Sequence, residues 1–374
     1  MKKILFIIPS LKGGGAERVL INLLQKIDFN KYQVDLCVGV KKGEYLNEIP
    51  KGVNNVIYLF KRSIWEKLFI SLLYRDLEIN FFYKRRILSK LSQGYDVGVS
   101  FLDSAWSDIL LFKNNIKKKI VWIHSSYSTN SNFYKYTQGR YKQKRMERYS
   151  KMDSIVFVSN EAKEDFVSIY GQSYKMEVIY NMISPSEVVQ KSKEPLRISQ
   201  KQSIQFIAVG SLLPVKGYDR LLRVSKKLKE DGLNFHVSIL GKGHLQKSFV
   251  KMINDMDITE AISLEGFKSN PYPYIKQADV FIMTSVSEAL PTVLCEAMIL
   301  EKPVIVTNCC GCREIVDNGQ FGIMVEQNDE MLYKAMKEMI LNKATREKYS
   351  QLSKLRATLF NDKEVLSKID YIFA

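Results

Sequence analysis

Residues 204–219 read Ile-Gln-Phe-Ile-Ala-Val-Gly-Ser-Leu-Leu-Pro-Val-Lys-Gly-Tyr-Asp, and this stretch determines which fold is assigned to the chain. Its apolar run predicts a buried β-strand, the glycine at the end predicts a loop, and the residues after that loop begin a helix. A strand that leads through a glycine loop into a helix is the repeating unit of an α/β protein. The same order recurs on both sides of this segment.

The 374 residues are too many for one typical domain and enough for two. Apolar strands are predicted near 3–9, 33–40, 55–60, 96–101, 119–123, 154–158 and 176–180, and again at 204–210, 235–241, 261–265, 279–284, 303–307 and 322–325. The polar stretch 184–202 between the two series predicts a linker. We therefore predict an α/β fold of two Rossmann-like domains, residues 1–184 and 185–360, with parallel sheets and a ligand cleft between the domains.

The net charge of +16 is concentrated in the N-terminal part of the chain. Residues 1–150 contain 27 Lys and Arg against 12 Asp and Glu, whereas residues 151–374 contain 29 against 28. Such an excess attracts polyanions, which include nucleic acid, an anionic membrane surface and phosphorylated substrates. Because no nucleic-acid-binding motif accompanies the charge, we predict that nucleic acid is not a partner.

Cysteine usage and the N-terminus indicate the compartment. The five cysteines do not pair evenly, and Cys37 and Cys295 lie in apolar runs where reduced, buried thiols are common. The cluster at 309–312 has no fourth Cys or His nearby, so we predict reduced thiols there and not a zinc site. We predict that the short apolar run that ends at Pro9 is a first strand and not a signal peptide. We predict a cytoplasmic protein, peripheral on the inner face of the membrane.

Two glutamates, Glu288 and Glu296, are eight positions apart. Pro291 between them is tolerated in a first helical turn, so a helix is predicted to begin near 290–292. Glu288 then precedes a helix N-terminus, whose free N–H groups suit a diphosphate, and Glu296 lies further in and can reach a hydroxyl. In the alternative interpretation, Glu288 is a solvated loop acid and Glu296 a surface helix residue.

Other candidate binding residues follow strands of the second domain. Lys216 stands at the head of a helix and would bring a cation to an N-terminus that already favours a diphosphate. The alternative is a solvated lysine. Gly241 and Gly243 leave backbone accessible at the end of the next strand, and Phe267 would lie against a base or fill the core.

A glycine loop at 13–15 follows the first strand and leads into a helix that begins with Glu17 and Arg18. Backbone N–H groups of such a loop can approach a phosphate or a sugar. The spacing is neither that of a dinucleotide-binding motif nor that of a P-loop, and a plain tight turn is the alternative.

Together these motifs resemble those of retaining glycosyltransferases of family 4, which have the two-Rossmann-domain GT-B fold. The resemblance covers essentially the whole chain. It rests on the segments 13–17, 209–217 and 241–243, on the acid pair with its Pro-Thr helix start, and on Gly311 with Glu314. It also implies that a helix at 361–374 crosses back onto the first domain.

The resemblance implies a role for several residues. Glu288 would contact the donor sugar, Glu296 would hold the nucleotide ribose, and Lys216 would neutralise the diphosphate without a metal. Ser211 departs from the family, which often has an arginine there, so Arg18 and Arg313 are candidate substitutes for the missing cation.

His124, at the end of a strand of the first domain, matches a family histidine near the sugar, with a structural hydrogen-bonding role as the alternative. The predicted catalytic residues are His124, Glu288 and Lys216. The predicted donor-binding residues are Gly14, Gly15, Gly210, Ser211, Lys216, Gly241, Gly243, Phe267, Glu288, Leu290, Pro291, Thr292 and Glu296.

The implied reaction moves a hexose or N-acetylhexosamine from a nucleotide-diphosphate sugar, with UDP as the family-level expectation, to a glycan or lipid-linked acceptor. It would serve bacterial cell-surface polysaccharide synthesis, with no metal and no cofactor. No acid in the N-terminal motifs supplies an opposite-face nucleophile of the kind that retaining glycosidases use, so same-face substitution is favoured. The alternatives are a sugar-nucleotide epimerase of the same architecture and a non-catalytic sugar-binding subunit.

Two basic, aromatic segments of the first domain, 64–91 and 134–148, are candidates for acceptor or membrane binding. The first has the spacing of an amphipathic helix that lies in a membrane interface. The residues assigned to this role are Arg75, Lys84, Arg85, Arg86, Arg140 and Arg145. In the alternative interpretation, each segment packs one face on the core and solvates the other.

The basic segments predict salt-sensitive membrane binding. The protein should sediment with anionic phospholipid vesicles at low salt and be released at high salt, because salt screens the attraction between basic side chains and anionic headgroups. Zwitterionic vesicles serve as the control. Retention in the supernatant with anionic vesicles at low salt would contradict the prediction.

Overall fold

The computed structural model describes residues 1–60, 87–91, 94–112, 116–128, 134–196 and 203–374. These residues form two compact units, Met1–Met182 together with Lys363–Ala374, and Ile183–Asp362. Each unit contains one sheet, and the paired strands run parallel. The predicted fold class of two α/β units with parallel sheets is therefore confirmed.

The first unit contains a seven-stranded sheet with the order β3-β2-β1-β4-β5-β6-β7. Its strands are β1 (Lys2–Ile8), β2 (Tyr32–Val40), β3 (Asn55–Phe60), β4 (Tyr95–Ser100), β5 (Ile116–Ile123), β6 (Ser154–Phe157) and β7 (Met176–Val178). Its helices are α1 (Gly15–Lys26), α2 (Ile109–Phe112), α3 (Gly139–Tyr149), α4 (Asn160–Tyr170) and α13 (Asp362–Phe373), the last returning from the end of the chain.

The apolar sequence of β1 accounts for its central position in the sheet. Residues 4–8 are all fully buried, so β1 is covered on both faces. A continuous apolar run, without alternation of polar residues, is typical of a parallel strand in this position. β1 pairs with β2 on one side and with β4 on the other.

Helix α13 packs on this central strand. The Phe373 ring lies 6.1 Å from the Phe6 ring and 5.7 Å from the Tyr32 ring, both measured between centroids. The Tyr32 hydroxyl donates a 2.8 Å hydrogen bond to Asp370, and the Lys31 ammonium contacts the same carboxylate. The end of the chain therefore completes the core of the first unit.

The second unit contains a six-stranded sheet with the order β10-β9-β8-β11-β12-β13, the arrangement of a Rossmann fold. Its strands are β8 (Ile204–Val209), β9 (Phe235–Leu240), β10 (Ile262–Gly266), β11 (Val280–Met283), β12 (Val304–Thr307) and β13 (Ile323–Val325). Its helices are α5 (Pro185–Lys191), α6 (Tyr218–Glu230), α7 (Gln246–Asp255), α8 (Tyr272–Gln277), α9 (Thr292–Ile299), α10 (Cys312–Ile315), α11 (Asp329–Leu341) and α12 (Lys343–Ala357).

The predicted linker at 184–202 is wrong in its first part. Helix α5 begins there with Pro185 at its first position, where the missing N–H of proline costs nothing. Val188 is buried in the core of the second unit, and the Asn270 amide donates a 3.0 Å hydrogen bond to the Lys191 carbonyl. The polar composition of this stretch concealed a short helix that belongs to the second unit.

Arg145 was predicted to contact acceptor or membrane, and this is wrong. Only 2% of its side chain is exposed, and its guanidinium lies 2.8 Å from the Asp103 carboxylate. The same carboxylate accepts hydrogen bonds from the hydroxyls of Tyr127, at 2.6 Å, and Tyr149, at 2.9 Å. Arg145 is therefore part of a buried polar network that fixes α3 to the sheet.

The other residues assigned to acceptor or membrane binding have different outcomes. Arg140 is exposed at the start of α3, and its role stays a prediction. Arg75, Lys84, Arg85 and Arg86 lie outside the described residues. Within the described ranges, no helix has the length and apolar content that crossing a bilayer would need.

The charge state of the buried network follows from its partners. Burial alone would raise the pKa of the Asp103 carboxyl, but the guanidiniums of Arg145 and Arg148 outweigh it, and the pKa is lowered. Asp103 therefore remains ionised, and its contribution to stability is lost as the pH falls through the lowered value.

We expect Arg145→Met to lower the free energy of unfolding by about 3–5 kcal/mol, because it leaves the Asp103 carboxylate buried without its closest cation. Urea denaturation at neutral pH measures the change. Arg140→Met, on the same helix but exposed, is the matched control and should change stability by less than about 0.5 kcal/mol. Equal effects of the two substitutions would contradict the buried network.

Candidate active site

Lys216 is placed by a tight backbone contact between two loops of the second unit. It ends a 3-10 turn, Pro214–Lys216, and is followed by Gly217 with φ +60°, a left-handed conformation that favours glycine. A Cβ at Gly217 would lie 2.2 Å from the Thr284 carbonyl oxygen, so the loop presses on the end of β11. The Thr284 hydroxyl donates a 2.9 Å hydrogen bond to the Lys216 carbonyl and holds this contact.

Lys216 and Glu288 form an ion pair at this edge of the sheet. The Lys216 ammonium lies 2.5 Å from Glu288 Oε1, with 20% and 13% of the two side chains exposed. Burial would lower the pKa of Lys216, but the Glu288 carboxylate more than offsets it, and the pKa is raised. The motifs assigned separate roles to the two residues, whereas the structure joins them as one charged, partly accessible pair.

Glu296 lies within α9, which begins at Thr292 with Pro291 as its capping residue. Only 7% of Glu296 is exposed, and this excludes the alternative of a surface helix residue. The Tyr272 hydroxyl donates a 3.3 Å hydrogen bond to Glu296 Oε1. Tyr272 was not singled out in the sequence, because it reaches Glu296 from a helix 24 residues earlier.

The glycines of the second unit are required where strand-end loops meet. A Cβ at Gly241, whose φ is +151°, would lie 1.8 Å from the Gly210 carbonyl oxygen, and one at Gly243 would lie 2.2 Å from the Leu212 carbonyl oxygen. These backbone contacts require glycine at both positions, whether or not a ligand binds there. That the two glycines bind the donor stays a prediction. The same is true of Ser211, Leu290, Pro291 and Thr292.

Phe267 does not fill the core, since 38% of it is exposed. The Lys242 ammonium lies over its ring, 4.6 Å from the centroid, in a cation–π contact. The ring is therefore held at the surface next to the end of β10. Its use as a platform for a base stays a prediction.

The glycine loop of the first unit is followed by an acid in the first turn of α1. Glu17, in the first turn of α1, accepts a hydrogen bond from the Gly14 backbone, and a Cβ at Gly14 would lie 2.2 Å from the Glu17 carboxylate. Burial raises the pKa of Glu17. Arg18, a candidate second cation, is held by the Glu48 carboxylate and lies over the Tyr45 ring. Within the described chain, a Cβ at Gly15 would have no atom within 4 Å apart from its chain neighbours and the nearby backbone of its own helix.

His124 follows β5 in the first unit, and its ring lies 4.8 Å from Phe101 and 6.2 Å from Trp122, between centroids. Among the described residues, its buried Nε2 atom has no hydrogen-bond partner. Burial lowers the pKa of His124 to about 3. The imidazole is therefore neutral at physiological pH, so it can donate or accept a hydrogen bond but carries no charge.

The side chains of Cys309, Cys310 and Cys312 are buried, and these cysteines are not joined in disulfides. Cys312 Sγ lies 3.5 Å from the Met283 sulfur, at the end of β11. In the described ranges, no three His, Cys, Asp or Glu side chains are grouped so that they could hold a metal ion.

Two further side chains near the ion pair were missed from the sequence. Ser285 donates a 2.6 Å hydrogen bond to Glu288 Oε1, and Thr307 donates a hydrogen bond to the Ser285 carbonyl. Their positions in the sequence could have indicated both residues. Ser285 follows the end of β11 and Thr307 ends β12, and the carboxyl ends of neighbouring parallel strands meet at one edge of a sheet. Small hydroxyl residues in a loop were not sufficient to single them out.

Comparison with known proteins matches nearly the whole chain. The family model "Glycosyl transferases group 1" matches residues 189–356, and "Glycosyltransferase Family 4" matches residues 13–187. The chain is 27% identical over 380 residues to N-acetylgalactosamine-N,N'-diacetylbacillosaminyl-diphospho-undecaprenol 4-alpha-N-acetylgalactosaminyltransferase of Campylobacter jejuni, with 96% of each protein covered. It is 25% identical over 305 residues to the capsular polysaccharide biosynthesis glycosyltransferase CapH of Staphylococcus aureus, with 79% of each covered.

Solved structures show the same architecture. TarM of S. aureus, solved with UDP, Fondaparinux and alpha-GlcNAc-glycerol, superimposes with a TM-score of 0.76 at 12% identity over all of both chains. HepE of Anabaena, solved with UDP and glucose, gives a TM-score of 0.74 at 15% identity over 99% of each chain. At these identities the likeness shows the fold alone, and it confirms the GT-B fold that the motifs implied.

We expect His124→Phe to flatten the acid side of the pH–stability curve. In the wild type, the unfolded chain binds a proton below about pH 6.5, whereas folded His124 does so only near pH 3. Stability therefore decreases as the pH is lowered from about 6.5 towards 3. The phenylalanine ring retains the stacking and removes the titration.

Urea denaturation from pH 8 to pH 4 tests this expectation. The stability loss below about pH 6 should be smaller in the variant by up to about 1.4 kcal/mol per pH unit. Comparison at pH 8, where both rings are neutral, provides the baseline. Parallel curves for the two proteins would show that folded His124 titrates normally.

Proposed function

We propose, from the premise that this chain is a glycosyltransferase with the GT-B fold, that it transfers a hexose or N-acetylhexosamine from a UDP-linked donor to a lipid-linked acceptor. Two lines of support come from similar proteins. The Campylobacter relative is named for a sugar transfer onto a diphospho-undecaprenol-linked acceptor, and TarM and HepE were both solved with UDP. The CapH relative is named for capsular polysaccharide biosynthesis, and we propose that this chain serves bacterial cell-surface polysaccharide synthesis.

The observation that carries the proposal is the ion pair of Lys216 and Glu288. Both charges stand where the strands of the second unit end, which is where α/β proteins bind ligands. Each side chain is partly exposed, so a ligand can reach the pair. An ammonium suits a diphosphate, and a carboxylate accepts hydrogen bonds from sugar hydroxyls. The pair therefore offers complementary groups to the two parts of a nucleotide sugar.

We propose that Lys216 stabilises the departing diphosphate. Its raised pKa keeps the ammonium charged at neutral pH, so this side chain would supply a cation where negative charge develops on the leaving group. Ser211 provides no second cation, and we propose that no metal takes part in the reaction. Backbone N–H groups of the same loop would supply the remaining donors.

We propose transfer with retention by same-face substitution. The bond between the anomeric carbon and the diphosphate oxygen breaks, the acceptor oxygen forms the new bond on the same face, and the acceptor proton passes to the leaving diphosphate. Glu288 and Glu296 hold donor hydroxyls, and neutral His124 contributes a hydrogen bond without adding charge.

The acceptor and the location of the enzyme are part of the proposal. A lipid-linked acceptor lies in a membrane, and the basic first unit would favour an anionic surface. We place the enzyme in the cytoplasm, peripheral on the inner face of the membrane. The epimerase and the non-catalytic subunit are not favoured, because the relatives described above are named glycosyltransferases.

The proposal predicts donor-dependent nucleotide release when the protein is incubated with UDP-sugars and a polyprenol-diphosphate-linked acceptor. Glu288→Gln, Glu296→Gln and Lys216→Met should each lower kcat/KM by about 100-fold or more, because each removes a contact to the donor. Glu347→Gln, an exposed glutamate on α12, is the matched control and should behave as the wild type.

Two further readouts test the details of the reaction. Activity should persist in the presence of EDTA, and the product should keep the anomeric configuration of the donor when examined by NMR. Interconversion of free UDP-sugars without an acceptor would instead indicate an epimerase. Full activity of all three site variants would refute the assignment of the site.

A further inference from the structure

We propose that Ser285 and Thr307 are positioning residues that set which oxygen of Glu288 is presented to the donor. The inference rests on the proposed function of Glu288 and extends it to residues that do not touch the donor. It follows from how the hydrogen bonds around one carboxylate are distributed.

Both identified donors to the Glu288 carboxylate reach the same oxygen. Oε1 accepts from the Lys216 ammonium at 2.5 Å and from the Ser285 hydroxyl at 2.6 Å. Oε2 accepts no hydrogen bond from the part of the chain that the structure describes, and it is not among the buried polar atoms that lack partners. Since 13% of the side chain is exposed, Oε2 is the oxygen left to accept a hydroxyl from a ligand.

Ser285 is itself fixed from the neighbouring strand. Thr307, the last residue of β12, donates its hydroxyl hydrogen bond to the Ser285 carbonyl. Gln327 donates to the carbonyls of Val286, at 3.0 Å, and Asn308, at 3.2 Å, so it joins the two residues that follow Ser285 and Thr307. The loops after β11 and β12 are therefore connected at two adjacent positions.

Burial excludes a direct role for either hydroxyl in substrate binding. Ser285 is 1% exposed and Thr307 is fully buried. A donor sugar can reach Glu288 but not these two side chains. Their effect on the reaction must pass through the Glu288 carboxylate, whose rotation is restricted by two hydrogen bonds on one oxygen.

The backbone contact of Gly311 supports the same loop from its other end. A Cβ at Gly311, whose φ is +78°, would lie 2.3 Å from the Ala289 carbonyl oxygen. The residue after Glu288 is therefore held against the loop that follows β12. Because both ends of residues 285–289 are fixed, the backbone of this loop holds Glu288 in place. The hydrogen bonds from Ser285 and Lys216 then set the orientation of the Glu288 carboxylate.

Steady-state kinetics of the full chain with a UDP-sugar and its acceptor test the proposal. Ser285→Ala should lower kcat by about 10–100-fold, since a displaced catalytic contact costs up to about 100-fold. Thr307→Val, which keeps the shape and removes the hydroxyl, should give a smaller loss of kcat, and Thr307→Ser should restore it. Thr358→Val is the matched control, because its hydroxyl also donates to a backbone carbonyl, that of Leu355, but at the exposed C-terminal cap of α12.

A double-mutant cycle separates positioning from general structural damage. If Ser285 acts through Glu288, then Ser285→Ala should have no further effect in a Glu288→Gln background. A structural role would instead lower activity by the same factor in both backgrounds. Thermal unfolding of each variant checks that the native fold is retained.

The outcomes also distinguish this inference from the proposed function. If the wild type transfers sugar and Ser285→Ala has the same kcat, or the two effects multiply in the cycle, the positioning role is wrong and the proposed function stands. If the wild type neither binds UDP-sugars nor transfers sugar with any donor tried, the proposed function itself fails. Non-additive losses at Ser285 and Glu288 support both.

Discussion

The ion pair between Lys216 and Glu288 is the interaction on which the organisation of the second unit's functional edge depends. A lysine and a glutamate 72 residues apart meet only if the loops after β8 and β11 lie side by side. The sheet order, in which β8 and β11 are neighbours, makes this meeting possible. The charges then remain partly accessible because they are at the edge of the sheet and not within it.

Backbone contacts keep the loops close enough for that pair to form. Gly217 lies against the Thr284 carbonyl, Gly241 against Gly210, and Gly311 against Ala289, each at a separation that a Cβ would close to 2.3 Å or less. A larger residue at any of these positions would push one strand end away from its neighbour. The side chains that carry the chemistry are thus supported by glycines that carry none.

Much of the fold can be predicted from the sequence, because a parallel strand that is buried on both faces appears in the sequence as a continuous run of apolar residues. The strands of both units lie where those runs predicted them, and β1 is the clearest case. Contacts between distant loops do not follow from the sequence, so Lys216 and Glu288 were identified separately and Ser285 and Thr307 were not identified.

Arg145 was misassigned because the sequence does not show whether a basic residue is buried beside an acid or exposed to solvent. Only the structure shows that Arg145 is paired with Asp103. Helix α5 was missed because Pro185 and its serine neighbours resemble a linker, although proline is well suited to a first helical position.

The packing of α13 on β1 has a consequence for biosynthesis. During translation, the strands of the first unit leave the ribosome long before Phe373 is made, so Phe6 and Tyr32 lack their aromatic cover until the whole second unit has been synthesised. The nascent first unit therefore exposes apolar surface throughout this interval, which is the state that chaperones bind. Helix α13 can therefore complete the core of the first unit only after the second unit has been synthesised.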